Sequence, residues 1–270
     1  MKKGAVWSFV RDLWRIYTTK HISRSAAELS YFLTLSVFPT VMCMYALFGN
    51  TIPTRDLIFW AFADVVPTDA LEAIMAHLAY VQANSGRAML IGGGTLMLTS
   101  SGAAFRALHN IMAEIQGAPK YRGGLFVVIS LLFSLVLLAV MYFAALVILA
   151  GEWLLDGFSQ RLPWVWDWSR LRFVLLFALL LLLVLGAYSL VSPEGKRQEL
   201  LPGAIVAAFA MVGVGMMFST AVSYSVRYSM VYGSLASMVI LMLSLYIFGN
   251  ILILGCAVNH MLKNKKHPPQ

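Results

Sequence analysis

Four polar side chains near the middle of the chain have a spacing that could support function. Arg106, His109 and Asn110 are separated by three and four residues, so a helix places them on one face, and Glu114 continues that face one turn later. The segment before them is apolar. Polar groups within such helices usually face the bundle interior or a water-filled cavity, which makes these residues candidates for a functional site. Anchoring at a membrane surface is the alternative interpretation.

Catalytic motifs are absent from the sequence. It contains no G-x-G-x-x-G, P-loop, H-E-x-x-H, C-x-x-C or G-x-S-x-G pattern. The two cysteines, Cys43 and Cys256, lie in apolar runs, where a thiol behaves as a small hydrophobic group. The histidines are scattered through the chain at positions His21, His77, His109, His260 and His267. We therefore expect no catalytic site, no metal site, no cofactor and no enzymatic activity.

The composition excludes an ordinary soluble domain. Hydrophobic residues make up 60% of the chain and charged residues 12%, whereas soluble domains average about 25% charged residues. The 29 residues between Arg122 and Glu152 contain no charge, and about 20 apolar residues suffice to cross a bilayer. Buried helices of a large soluble protein would be shorter and amphipathic.

The charge-free segments predict an all-α membrane protein with a bundle of about six transmembrane helices. We expect a cytoplasmic or interfacial segment at 1–29, a transmembrane domain at 30–262 and a short basic tail at 263–270. The predicted spans are about 30–50, 88–112, 125–150, 171–190, 202–224 and 234–262.

Two further helices are expected outside the spans. In residues 5–20, Val6, Val10, Leu13, Trp14 and Tyr17 recur at helical spacing. This pattern predicts an amphipathic helix that lies in the membrane interface, or one packed on the protein's own cytoplasmic side. Asp69 and Glu72 could form a capping box that starts a surface helix over about 69–82 in the first outer loop.

Irregular backbone is expected at three places. Pro39 interrupts the first span, and the hydroxyls of Ser36 and Thr40 are near enough to bond the freed carbonyl. Gly92–Gly94 lies in the second span and Pro202–Gly203 opens the fifth. Cavities within membrane proteins often use such backbone.

The basic residues predict the topology. Lysine and arginine are expected to concentrate in cytoplasmic loops. If the N-terminus is placed inside and successive loops alternate between the two sides, more of these residues fall on the cytoplasmic side than on the opposite side. Arg106 is not assigned to either side. The cytoplasmic set is Lys2, Lys3, Arg11, Arg15, Lys20, Arg24, Lys120, Arg122, Lys196, Arg197, Lys263, Lys265 and Lys266. The opposite set is Arg55, Arg87, Arg161, Arg170, Arg172 and Arg227. Both termini are therefore expected in the cytoplasm.

Several ordered segments together resemble the YihY/BrkB family of bacterial inner-membrane proteins, once named ribonuclease BN. The resemblance covers about residues 5–260. The segments that carry it are Ala26–Pro39, Ser100–Asn110, Leu201–Ala204, Val231–Leu235, Leu245–Tyr246 and Leu254–Asn259. Two positions depart from the family pattern: Ser244 stands where a Trp is usual, and Ala257 stands where an acidic residue is usual. A mechanism in which that carboxylate carries a proton or cation is therefore in doubt here.

The resemblance and the polar placement together select the candidate cavity or functional residues. They are Tyr31, Ser36, Pro39, Arg106, His109, Asn110, Tyr232, Gly233, Tyr246, Gly255 and Asn259.

The expected function is transport or lipid handling through an intramembrane cavity, with the substrate open. A non-transporting scaffold in envelope assembly is the alternative. A nuclease is rejected, because that chemistry needs metal-binding carboxylates or histidines that the chain lacks. The resemblance places the protein in the bacterial plasma membrane. Membrane lipids are the expected partners and nucleic acid is not, while protein partners and a homo-oligomer stay open.

Overall fold

The computed structural model describes residues 2–48, 87–117, 123–158, 168–191, 197–224 and 234–266, and these ranges are helical almost throughout. No strand occurs within them, so the predicted all-α class is confirmed. We number the helices α1 Lys2–Thr19, α2 Ile22–Phe48, α3 Arg87–Gln116, α4 Gly124–Phe158, α5 Trp168–Val191, α6 Arg197–Tyr224 and α7 Ser234–Lys266.

The helices extend beyond the apolar segments that predicted them. Helix α2 begins at Ile22 rather than near residue 30, and α6 begins at Arg197 rather than at Pro202. The length of an apolar segment indicates only the part of a helix that can lie within a bilayer. The helix itself is longer, because its backbone hydrogen bonds continue into the polar residues at its ends. As a consequence, Pro202 lies inside α6 and not at its start.

Among the residues that the structure describes, four helices are long and apolar enough to cross a membrane. Their spanning segments are Phe126–Ala144, Phe173–Leu190, Glu199–Phe218 and Met238–Asn264. Only 17–28% of each segment is buried, so most of its apolar side chains face away from the bundle. In water such a surface would be unfavourable, whereas a bilayer covers it. Helices α2 and α3 are not among the four, and the count of six spans stays a prediction.

The core lies where the ends of several helices meet. The C-terminal half of α3 packs against α2, since Leu108 and Met112 share one buried cluster with Ile22 and Ala26. Helices α5, α6 and α7 contribute Tyr188, Ala204, Ala207, Ile253 and Cys256 to the same cluster. The core therefore joins the two halves of the chain at one end of the bundle.

Helix α1 packs on the core through one face and leaves another face exposed, so packing on the protein itself is observed and a position in the membrane interface stays a prediction. Leu13, Ile16 and Tyr17 pack against the core, whereas Trp7 and Trp14 are exposed. Burial raises the pKa of the Tyr17 hydroxyl above its usual range. His21 adopts a left-handed conformation, with a φ of 50°, and this conformation turns the chain from α1 into α2. The surface helix predicted at 69–82 lies outside the described residues.

Candidate functional site

A polar cleft of about 130 Å³ opens between the ends of three helices. The C-terminal end of α3, the N-terminal end of α6 and the C-terminal part of α7 meet there. Its lining residues are Gln116, Glu199, Leu200, Asn259, His260, Lys263 and Asn264. Six of these seven side chains are polar, so the cleft suits a hydrogen-bonding or charged group.

Asn259 forms the inner wall of the cleft and joins α7 to α6. Its Oδ1 accepts a hydrogen bond of 2.7 Å from the Gly203 N–H, and its Nδ2 donates one of 2.8 Å to the Leu200 carbonyl. These two backbone groups flank Pro202, which has no N–H and disturbs the helical ladder. The Asn259 side chain is 4% exposed. It therefore braces α6 where the proline weakens that helix.

Two glycines let α6 and α7 approach each other beside the cleft. A Cβ on Gly203 would overlap the Gly255 carbonyl and lie 2.6 Å from Asn259 Cγ. A Cβ on Gly255 would overlap the Tyr188 hydroxyl and lie 2.9 Å from Ala207 Cβ. Small residues commonly allow membrane helices to pack this closely. Glycine is required at both positions because a Cβ has no room there. The backbone conformation does not require glycine, since both residues lie within helices.

Tyr188 extends this contact to α5. Its hydroxyl donates a hydrogen bond of 2.7 Å to the Leu252 carbonyl, and the side chain is fully buried. On the opposite side, Gln116 Nε2 of α3 donates to Cys256 Sγ at 3.1 Å. Helices α3, α5 and α6 are thus all fixed against α7 near the level of the cleft.

Among the described residues, one loose ion pair lies at the cleft and a second lies outside its lining. Lys263 Nζ lies 3.8 Å from Glu199 Oε2, and Lys20 Nζ lies 3.8 Å from Glu114 Oε1. The lysine side chains are 52% and 38% exposed, and ion pairs this exposed stabilise a fold by about 0–1 kcal/mol. Both ammonium groups can therefore exchange their partner for an anionic ligand at small cost.

The predicted face of α3 does not form one site. His109 is 1% exposed, and its ring lies 4.8 Å from the Phe126 ring and 6.2 Å from the Phe105 ring. Asn110 is exposed, and Arg106 lies over Gly102 with partial burial. Seen along the axis, His109 is turned about 60° to one side of Arg106, into the core, and Asn110 about 40° to the other side, toward the outside.

The candidates on α2 serve the helix itself. Ser36 is buried, and its hydroxyl donates to the Leu33 carbonyl at 2.7 Å, while Thr40 donates to the Ser36 carbonyl at 2.7 Å. Neither of these bonds reaches the carbonyl of Leu35, which Pro39 leaves without its helical partner. Tyr31 is 52% exposed, on the outside of the same helix.

The candidates on α7 divide between two places. Gly255 and Asn259 lie at the cleft, whereas the Tyr246 hydroxyl is 2.8 Å from Ser23 Oγ near the bend between α1 and α2. Ala257, at the position where the family usually has an acid, is fully buried in the core. Ser244 donates to the Leu241 carbonyl. Tyr232 and Gly233 lie outside the described residues.

Sequence reasoning missed Glu199, His260, Lys263 and Asn264 as site residues. The sequence did contain one signal for this site. One face of a helix that ends in basic residues carries four polar side chains, Asn259, His260, Lys263 and Asn264. Within the described ranges, no group of three or more His, Cys, Asp or Glu side chains is placed to hold a metal ion.

Comparison with known proteins identifies one family and two relatives. The family described as Virulence factor BrkB matches residues 13–270. A ribonuclease-like protein of Bacillus subtilis (strain 168), YfkH, is 26% identical over 272 residues, covering 97% of this chain and 98% of its own length. The UPF0761 membrane protein VP0125 of Vibrio parahaemolyticus serotype O3:K6 (strain RIMD 2210633) is 25% identical over 281 residues, covering 96% of this chain and 83% of its own. No solved structure was found to match.

Proposed function

Because this membrane protein belongs to the Virulence factor BrkB family and carries a polar cleft at one end of its bundle, we propose that it handles lipid by binding a polar headgroup in that cleft. In this proposal the cleft and both termini lie on the cytoplasmic side of a bacterial plasma membrane, which the uneven distribution of basic residues between the loops supports. In this proposed role the protein binds lipid and moves it, and it catalyses no reaction.

The observation that carries the proposal is the position of the cleft beside an outward apolar surface. Leu200 lines the cleft, and the next residue, Leu201, begins a stripe of exposed side chains on α6. Ile205 and Phe209 continue it at intervals of four residues, with exposed fractions of 38% and 63%. A lipid has the same arrangement, because a polar headgroup is joined to apolar chains. A small polar solute would gain nothing from the stripe.

The charges favour an anionic or zwitterionic headgroup. Lys263 is half exposed at the cleft, where its ammonium group can contact a bound anion. A phosphate group accepts hydrogen bonds from ammonium and amide donors, which Lys263, Asn264 and Gln116 supply. Glu199 supplies an acceptor for a headgroup amine.

Lipid movement can be measured in proteoliposomes that contain a phospholipid with a dithionite-sensitive fluorophore on one acyl chain. Dithionite bleaches only the outer leaflet, so movement of lipid across the bilayer raises the bleached fraction beyond that of protein-free liposomes. We expect this increase for the wild type and a smaller one for Lys263→Ala. Arg24→Ala, which removes an exposed charge outside the cleft, should behave as the wild type. A bleached fraction equal to that of empty liposomes would contradict movement.

A non-transporting scaffold is the second candidate, and the crossing at Gly203 and Gly255 favours it. The two backbones are so close there that a single Cβ has no room, which indicates a rigid junction. A scaffold predicts that deuterium exchange in α6 and α7 is the same with and without lipid. Lipid handling predicts slower exchange near Asn259 when lipid is present.

A further inference from the structure

Helix α1 separates three kinds of side chain around its axis. Leu13, Ile16 and Tyr17 form the face that packs on the core. Trp7, Val10 and Trp14 form an exposed apolar stripe, with exposed fractions of 73%, 50% and 65%. Their spacing of three and four residues places them in one line along the helix. The stripe borders the packed face, since the Trp14 ring stacks on the Tyr17 ring with their centroids 5.6 Å apart.

Beyond Val10, the three charged residues of α1 follow in order around the same axis. At about 100° per residue, Arg11 and then Arg15 come next to the stripe, on the side away from the packed face. Asp12 comes after them, at the greatest distance from the stripe among these charges. Arg11 and Asp12 are both exposed. From the stripe onward, the surface thus changes from apolar to basic to acidic.

This order matches the layers of a membrane surface. Acyl chains accept the apolar side chains, and indole rings are favoured at the level of the headgroups. Arginine beside the apolar stripe meets lipid phosphates, to which its planar guanidinium binds in a bidentate manner. The aspartate is turned toward water. In water, two tryptophans that are more than half exposed would leave much apolar surface uncovered.

The attachment of α1 holds the stripe close to the bilayer. Ser23 follows α1 by a few residues, and its Oγ is 2.8 Å from the Tyr246 hydroxyl of α7. Tyr246 lies within Met238–Asn264, a segment apolar enough to cross a membrane. The start of α2 is therefore joined to a spanning helix just beyond α1, and Leu13, Ile16 and Tyr17 of α1 pack on the core to which that helix contributes. The exposed stripe of α1 thus lies beside a bundle whose apolar helices are long enough to cross a membrane.

We propose that α1 is a lipid-binding helix that lies in the plane of the membrane, with Trp7, Val10 and Trp14 inserted at the acyl boundary and Arg11 and Arg15 on anionic headgroups. The proposal is independent of the cleft, since none of these residues lines it. Charge complementarity selects an anionic lipid surface over a second copy of this basic chain.

Spin labels test the position of α1 in the full-length protein. Cysteine is introduced singly at Val10, or at Asp12 as the matched control two residues away. The wild type serves as the blank for labelling, because its two cysteines, Cys43 and Cys256, are buried. Each labelled protein is placed in nanodiscs of phosphatidylcholine with or without phosphatidylglycerol. Collision with oxygen, which partitions into lipid, is compared with collision with a water-soluble nickel complex.

The proposal predicts opposite outcomes at the two positions. The label at position 10 should collide several times more with oxygen than with nickel, and the label at 12 should favour nickel. Adding phosphatidylglycerol should move the label at position 10 deeper into the bilayer, which raises its ratio of oxygen to nickel collisions. The double variant Arg11→Gln with Arg15→Gln should abolish that shift. If position 10 favours nickel, the stripe faces water and the proposal fails. If it collides with neither reagent, protein covers the stripe and the proposal also fails.

Deuterium exchange on the unlabelled wild type gives a second readout that needs no substitution. Exchange of α1 amides should be slower in nanodiscs with phosphatidylglycerol than in those without it. Equal rates in the two lipids would contradict the role of the arginines, whatever the labelled variants do.

Discussion

Asn259 on α7 accepts a 2.7 Å hydrogen bond from the backbone N–H of Gly203 on α6. The same side chain donates to Leu200 on the other side of Pro202. One carboxamide thus connects the inner wall of the cleft to a proline-weakened turn of its neighbour. The shape of the cleft depends on this connection, because Leu200 and Asn259 both line it.

Asn259→Ala should destabilise the protein by about 1–3 kcal/mol, because it leaves two buried backbone groups without their side-chain partner. Thermal unfolding of the purified protein in detergent measures the loss as a lower midpoint. Asn264→Ala is the control, since Asn264 is exposed and bonds only to His260 of its own helix among the described contacts. Equal midpoints for the two variants would show that the bonds to α6 contribute nothing.

Gly203→Ala should lower the unfolding midpoint strongly, because the added Cβ overlaps α7 and overpacking costs about 1–3 kcal/mol or more. Gly213→Ala makes the same change on the same helix where nothing lies within 4 Å. That control should be neutral or stabilising by about 0.5–1 kcal/mol, since alanine favours helix over glycine. A neutral Gly203→Ala would contradict the close crossing.

Gly255→Ala and Tyr188→Phe should be coupled, because the added Cβ at 255 meets the Tyr188 hydroxyl. Tyr188→Phe alone removes the hydrogen bond to the Leu252 carbonyl and should cost about 1 kcal/mol. In a double-mutant cycle, Gly255→Ala should cost less in the protein that already carries Tyr188→Phe, with a coupling of about 0.5–3 kcal/mol. Strict additivity would mean that the two groups do not touch.

His21→Gly should stabilise the bend between α1 and α2, whereas His21→Val should destabilise it by about 1–3 kcal/mol. His21 has a φ of 50°, which glycine adopts freely and a β-branched residue resists. Unfolding midpoints and the exchange rate of α1 amides measure both effects. If valine is tolerated as well as glycine, the bend does not have this conformation in the membrane.

The sequence predicted the helices well because their signal is local. Within the described ranges, each predicted span lies in one helix, and polar residues such as Arg197 and Lys263 mark where the apolar part ends. The residues that a side chain contacts, in contrast, often come from distant parts of the chain. His109 was placed on a face with Arg106, whereas packing puts its ring against Phe126 of another helix.

The cleft could be predicted only in part for the same reason. Gly255 and Asn259 were found through the family resemblance, but their contacts with Gly203 depend on the point at which α6 and α7 cross. Lys263 and Glu199 are far apart in the chain, and no periodic pattern pairs them. Tyr188 lies in a strongly apolar helix, where a single tyrosine gives no sign of its partner.

The most direct test of headgroup binding in the cleft is native mass spectrometry of the protein purified in mild detergent. We expect the wild type and Arg24→Ala to retain the same lipid. Lys263→Ala should weaken its retention by about tenfold, since a hydrogen bond to a charged group contributes about 1.5–3 kcal/mol and about 1.4 kcal/mol is a factor of ten. A wild-type protein that carries no specific lipid, or a Lys263→Ala variant that retains the lipid unchanged, would contradict the proposal.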